Sequence, residues 1–242
     1  MDRLDVHLRW ILAAPIYACA YAVACWVFWW MAQRRGLANE TTLRVMLAGL
    51  IGGLIGANVV QLFATGLPGK TIEGGIIGGW LAVELTKRYL GMTRSTGDLF
   101  ALALPAGEVI GRVACFIGGC CYGKVATALP WAVYDHGALR HPTQLYLSGA
   151  ALCCFAGLYA IEQRAFLPDR ALFALGGMLF CVDRFIVEFF RAGATMLGPM
   201  TLAQVGCTVG FALFSVLFIR TVKIFNHASS LHRGSPMELW GR

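Results

Sequence analysis

The stretch "WILAAPIYACAYAVACWVFWWMAQRR", residues 10–35, decides what kind of protein this is. No charged side chain occurs from Trp10 to Gln33, and two arginines then close the run. A helix needs roughly 20 apolar residues to cross a hydrocarbon layer of about 30 Å. The run is longer than a removable signal, rich in tryptophan and without a small-residue cleavage site, so it is expected to stay as an anchor. The rest of the chain is of the same kind. With 58% hydrophobic and 14% charged residues in 242, and a positive mean hydropathy, it carries more apolar surface than a soluble core of this size buries. Apolar runs predict spans near 10–32, 43–65, 72–90, 98–117, 142–162, 171–191 and 201–220. Backbone groups in lipid must bond within their own segment, which makes these helices. The fold class expected is all-α: a polytopic integral membrane protein of about seven transmembrane helices in a single domain, 1–242, with a short tail over 221–242.

Basic residues orient the spans. Arg34, Arg35 and Arg44 follow the first; Lys87, Arg88 and Arg94 the third; Arg164 and Arg170 the fifth; Arg220, Lys223, Arg233 and Arg242 the seventh. The opposite connections hold only Arg3, Arg9, Lys70, Lys124 and Arg140. By the positive-inside rule the N-terminus lies outside and the C-terminus in the cytoplasm. The net charge of +7 is then mostly a topology signal, and no nucleic-acid partner is expected.

Three arginines fall inside spans: Arg112, Arg184 and Arg191. Intramembrane ionisable groups face the protein interior and mark a pathway or a site. In "RFIVEFFR", residues 184–191, Arg184, Glu188 and Arg191 follow at i,i+4 and i,i+3, one stripe of a helix; Glu108 and Arg112 form another i,i+4 pair. Mutual neutralisation and snorkelling explain such groups without any function. Two carboxylates against three arginines still leave positive charge, and the planar guanidinium fork suits a phosphate. Tyr17 and Tyr21, Glu73, His141, Gln144, Tyr146 and Gln204 reach the same outer depth. Singly they read as belt tyrosines or helix-packing amides; together they describe an outer-leaflet polar cavity for an anionic phospholipid headgroup.

Of nine cysteines, Cys19, Cys25, Cys153, Cys154, Cys181 and Cys207 lie in spans and read as small packing residues. Cys115, Cys120 and Cys121 cluster near Arg112 in "GRVACFIGGCCYGK", residues 111–124. They are open to a redox or acyl-accepting role, or to a soft metal with His141. The spacing holds no zinc-type pair, so no metal and no cofactor is expected. Glycine runs such as "GGIIGG" allow close helix approach.

The order of "PIYACAY", "IEGGIIGG", "GRVACFIGGCCYGK", "HPTQLYLS" and "DRFIVEFFR" before Gln204 resembles the prolipoprotein diacylglyceryl transferase family over about residues 10–220. The resemblance implies seven spans in the orientation above and a site at Tyr17, Arg112, Gly123, Arg184, Glu188 and Arg191. It places the protein in the bacterial plasma (inner) membrane. It implies a transferase whose acceptor thiol attacks the glyceryl carbon of phosphatidylglycerol. The carbon–oxygen bond breaks, glycerol phosphate leaves and a thioether forms. Arg112 and Arg184 would stabilise the phosphate, Tyr17 would bond the headgroup and Glu73 would take the acceptor's proton. Arg191, Glu188, Cys115, Gly123, His141, Gln144, Tyr146 and Gln204 complete the expected substrate site. The chain departs from the family at Glu73, where a histidine is usual, at Cys115 for asparagine, at Leu147 for an acidic residue and at Asn58 for arginine. Its outer segment between Gly123 and His141 is short. The lipid donor is thus expected to be kept, with the acceptor a membrane-anchored preprotein or another thiol. A lipid or anion transporter would need polar residues deeper in the membrane, and usually inverted repeats; a scaffold would need no Arg184.

Overall fold

A computed structural model describes residues 3–66, 71–164, 167–193 and 196–233. Among them are seven helices: α1 (Arg3–Arg34), α2 (Glu40–Thr65), α3 (Ile72–Tyr89), α4 (Gly97–Ile117), α5 (Thr143–Arg164), α6 (Ala171–Glu188) and α7 (Leu202–Arg233). Two short antiparallel hairpins pair β1 (Val133–Asp135) with β2 (Ala138–Arg140) and β3 (Met196–Leu197) with β4 (Met200–Thr201). Every expected span falls on a helix. Five of them, α1, α2, α4, α5 and α7, are long and apolar enough to cross a membrane; the protein is a multi-pass membrane protein. The other two, α3 and α6, are 18 residues each and carry four and three charged side chains.

Two boundaries differ from expectation. The span expected at 171–191 stops being helical at Glu188, because Phe189 and Phe190 turn and Arg191 leaves the helix to bridge Gly123. The tail expected from residue 221 is helical through Arg233; residues 234–242, including Arg242, lie outside the described residues, as does Lys70.

The chain divides into two compact units. In the unit Cys25–Leu99, α2 and α3 touch backbone to backbone. A Cβ on Gly52 would stand 2.7 Å from the Gly78 carbonyl oxygen, and one on Gly56 would stand 2.8 Å from Gly78 Cα. Small residues are what permit this approach where lipid offers helices no hydrophobic drive to associate. Asn39 caps α2 by accepting the Thr42 N–H at 2.9 Å, and Gly66, at φ +68, ends it in the left-handed turn glycine favours. Arg35 Nη1 pairs with the buried Asp98 at 2.8 Å. Ile51, Ile55, Ile76, Ile77 and Trp80 stay exposed, an apolar outer face that suits acyl chains.

The second unit comprises Met1–Ala24 and Phe100–Arg242. Here α4 lies against α1 at Gly107, where a Cβ would meet Ala24 Cβ at 3.0 Å and the Ala20 carbonyl at 3.2 Å. Ser148 of α5 donates to the Val109 carbonyl of α4 at 2.8 Å. Phe173 of α6 stacks edge-on against Phe214 of α7, centroids 5.7 Å apart. Leu102, Leu158 and Leu172 are fully buried between these helices. The segment joining α4 to α5 folds back as the β1–β2 hairpin around His136 and Gly137, both at positive φ, the backbone of a tight two-residue turn. Arg140 fixes it by donating to the Asp135 and Gly123 carbonyls and lying 4.8 Å over the Tyr122 ring. Arg9 of α1 holds Asp135 at 3.0 Å.

Candidate active site

A cavity of about 270 Å³ opens between α1 and α4, lined by Tyr17, Tyr21, Glu108, Arg112 and Cys115 with small residues between them. The small residues make the space: Ala20, Ala24, Gly107 and Gly111 leave no side chain to fill it. Glu108 and Arg112 stand one helical turn apart. The guanidinium donates from Nε and Nη2 to one carboxylate oxygen, Glu108 Oε1, at 2.9 and 2.7 Å. That pairing makes a cation tolerable in an apolar wall and leaves Nη1 outside the pair. Also lining the cavity, Tyr17 Oη and Cys115 Sγ are 3.0 Å apart. Tyr17, Arg112 and Cys115, expected to act together, are thus brought to one wall-lined space.

A second group forms at the end of α6. Arg184 and Glu188 are 5% and 4% exposed, and Arg184 Nη1 lies 2.6 Å from Glu188 Oε2. Arg191 Nη1 reaches the same oxygen at 3.6 Å. Arg191 is held by its backbone: it bridges Gly123, while Lys124 donates to the Phe190 carbonyl at 2.8 Å and Gly123 to the His141 carbonyl at 3.2 Å. Three chain segments meet so closely that a Cβ on Gly123 would sit 2.6 Å from His141 Cβ and 3.0 Å from the Phe190 carbonyl. His141 and Tyr146 share a hydrogen bond of 3.2 Å, and both pack on the Phe190 ring. Trp131 donates to the Tyr146 hydroxyl at 2.9 Å.

Three clustered thiols link the two groups. Cys115, Cys120 and Cys121 are in mutual hydrogen-bonding contact. Hydrogen bonds from Cys115 and Cys120 pull the Cys121 thiol well below the usual thiol range; the charges of Arg191 and Arg112 add to this, and burial opposes it. The same contacts push Cys120 up. Cys121 thus feels an arginine from each group, the electrostatic link between them. The cavity itself is lined by Arg112 and not by Arg184, Glu188 or Arg191. Among the described residues no three His, Cys, Asp or Glu side chains are placed to hold a metal ion.

The amides expected to meet substrate are bonded inside the protein. Gln144 is buried and donates to the Cys120 carbonyl at 2.6 Å. Gln204 accepts the Thr201 N–H at 2.9 Å while Thr201 Oγ1 accepts the Gln204 N–H at 3.1 Å, a reciprocal cap on α7. Leu147 is buried in α5 and Asn58 bonds the Leu54 carbonyl of its own helix. Glu73 is the second residue of α3, and its side chain lies outside the described residues. Cys154, read from the sequence as a packing residue, donates its thiol to the Asp183 carboxylate at 2.8 Å, a contact the sequence did not show. Asp183 inside an apolar run was the available signal.

A sequence model of the prolipoprotein diacylglyceryl transferase family matches residues 6–220. Similar proteins include one of Rhodospirillum rubrum, 31% identical over 97% of this chain and 92% of its own length. One of Nitratidesulfovibrio vulgaris is 30% identical over 84% and 86%, and one of Clostridioides difficile 28% identical over 87% and 91%. All three bear the name phosphatidylglycerol–prolipoprotein diacylglyceryl transferase. With the match covering most of its length, this chain belongs to the prolipoprotein diacylglyceryl transferase family.

Proposed function

We propose that the protein moves the diacylglyceryl group of phosphatidylglycerol onto a cysteine thiol of a membrane-anchored prolipoprotein and releases glycerol phosphate. The observation that carries this reading is the α1–α4 cavity, which a half-buried arginine with part of its fork outside the Glu108 pair lines together with a tyrosine. Its volume is near the lower end, roughly 300 Å³, of ligand pockets, enough for a headgroup whose acyl chains stay among the exposed apolar side chains outside.

Arg112 binds the phosphate and stabilises the charge that grows on it as the carbon–oxygen bond breaks, the preorganised electrostatics that dominate much catalysis. Tyr17 orients the headgroup. Arg184 and Arg191, held by Glu188, raise the positive potential along the path by which an anionic lipid enters and glycerol phosphate leaves. Gly123, His141 and Tyr146 shape that path, and Cys115 occupies the wall nearest the reacting atoms. We further propose seven spans, α3 and α6 among them, in a bacterial inner membrane with the N-terminus outside and the C-terminus in the cytoplasm. The basic residues at the ends of α1, α3, α5 and α7 support that orientation.

The test is transfer itself. Purified protein with labelled phosphatidylglycerol and a lipobox peptide should yield glycerol phosphate and a peptide carrying diacylglyceryl on its cysteine. Headgroup release with an unmodified peptide rejects the prolipoprotein acceptor; neither product from phosphatidylglycerol rejects the transferase.

A further inference from the structure

The thiol cluster is not explained by lipid transfer. Its three sulfurs are in mutual hydrogen-bonding contact and half-exposed, one of them on the cavity wall. The surrounding chain holds it in place. Gln144 grips the Cys120 carbonyl at 2.6 Å and Thr143 the Cys121 carbonyl at 2.8 Å. Cys121 itself sits at φ +60, a conformation few residues with a Cβ adopt without being held there.

We propose that Cys115, Cys120 and Cys121 form a thiol–disulfide exchange site that reacts with small aliphatic disulfides, with Cys121 as the attacking sulfur and Cys115 as the resolving one. The Cys121 thiolate attacks one sulfur of the incoming disulfide. That S–S bond breaks, a mixed disulfide forms on Cys121 and one thiolate leaves, taking a proton from solvent. The Cys115 thiol, giving up its proton to solvent, then attacks the Cys121 sulfur and expels the second thiolate. In sum, the Cys121 thiolate and the Cys115 thiol lose two electrons and one proton, and the small disulfide becomes two thiolates, which solvent protonates.

The assignment of roles follows from position. Hydrogen bonds from Cys115 and Cys120 pull the Cys121 thiol down, with the charges of Arg191 and Arg112 adding to this, which favours the thiolate, the attacking form. Cys120 is adjacent in sequence, and neighbouring Cα atoms about 3.8 Å apart fall short of the roughly 4.4–6.8 Å a disulfide usually spans. Cys115, a turn back on α4, is the better partner. Closing that bond takes the Cys115 sulfur from Tyr17 Oη, 3.0 Å away, and so alters the cavity wall. This last coupling rests on the proposed function; the exchange chemistry does not.

The probe is oxidised glutathione, added to the reduced full chain in detergent micelles, with alkylation of remaining thiols and peptide mass spectrometry. Cys120, the neighbouring thiol of the same cluster, whose pKa the contacts push up, serves as the control in the same molecule. The expected product is a Cys115–Cys121 disulfide. In Cys115→Ser a glutathione adduct should accumulate on Cys121, about tenfold faster than on Cys120. Equal or slower reaction at Cys121, or no Cys115–Cys121 link in the unsubstituted protein, overturns the proposal. Lipid transfer measured before and after oxidation separates the two readings. Exchange at Cys121 without transfer in either state keeps this site and rejects the function. Transfer that is equal in both states refutes the coupling.

Discussion

Glu188 is held between two guanidiniums, at 2.6 Å from Arg184 and 3.6 Å from Arg191, and it is 4% exposed. Glu188→Gln keeps the shape and removes the charge, leaving Arg184 as a buried cation with another cation beside it. Breaking a buried pair from one side costs about 3–5 kcal/mol, a large share of the roughly 5–15 kcal/mol that holds an ordinary domain together. Denaturation followed through the seven tryptophans should show that loss. A second variant separates scaffold from function. Arg184→Met with Glu188→Leu removes both charges, and apolar replacements of buried pairs are often neutral or stabilising by about 1–4 kcal/mol. Stability should therefore return, while lipid transfer falls because the path to Arg112 has lost a positive charge. If the double variant transfers lipid at the wild-type rate, Arg184 is scaffold. If Glu188→Gln is as stable as the wild type, the carboxylate is not what makes Arg184 tolerable.

Arg112→Lys keeps the charge but cannot reproduce the two donations to Glu108 together with a contact to phosphate; turnover should fall about 10²–10³-fold, while Arg164→Lys on the exposed end of α5 leaves it unchanged in the same assay. Gly123→Ala drives a methyl into His141 and Phe190; a thermal melt should register about 1–3 kcal/mol of overpacking, and activity should fall with every arginine intact. In the other unit, Gly56→Ala meets the backbone of Gly74 and Gly78 and should destabilise the α2–α3 pair by a similar amount, about 1–3 kcal/mol, read by proteolysis of the α2–α3 connection.

What was legible in the sequence was what is local. The run from Trp10 to Gln33 is α1 because nothing in it prefers water, and the i,i+4 spacings of Glu108 with Arg112 and Arg184 with Glu188 became the observed ion pairs. What failed to show was non-local. Arg191 continues the helical stripe of "RFIVEFFR" on paper, yet it leaves α6 because its backbone pairs with Gly123, 68 residues earlier in the chain. The reciprocal bonding of Gln204 with Thr201 was hidden because Thr201 is a cap only once α7 has begun. The β1–β2 hairpin was hidden since its strands are three residues each, too short for a period-two pattern to stand out. The meeting of the three thiols depends on the turn after α4, where Gly119 and Cys121 both adopt positive φ; sequence proximity alone does not place sulfurs in contact.

The central claim is that an anionic phospholipid seats its phosphate at Arg112 in the α1–α4 cavity. Native mass spectrometry of the detergent-solubilised protein, titrated with phosphatidylglycerol and with phosphatidylcholine, tests it directly. The account predicts saturable binding of one phosphatidylglycerol per chain, displaced by glycerol phosphate, absent for phosphatidylcholine and lost in Arg112→Ala. Equal retention of the two lipids, or undiminished phosphatidylglycerol binding by Arg112→Ala, would contradict it.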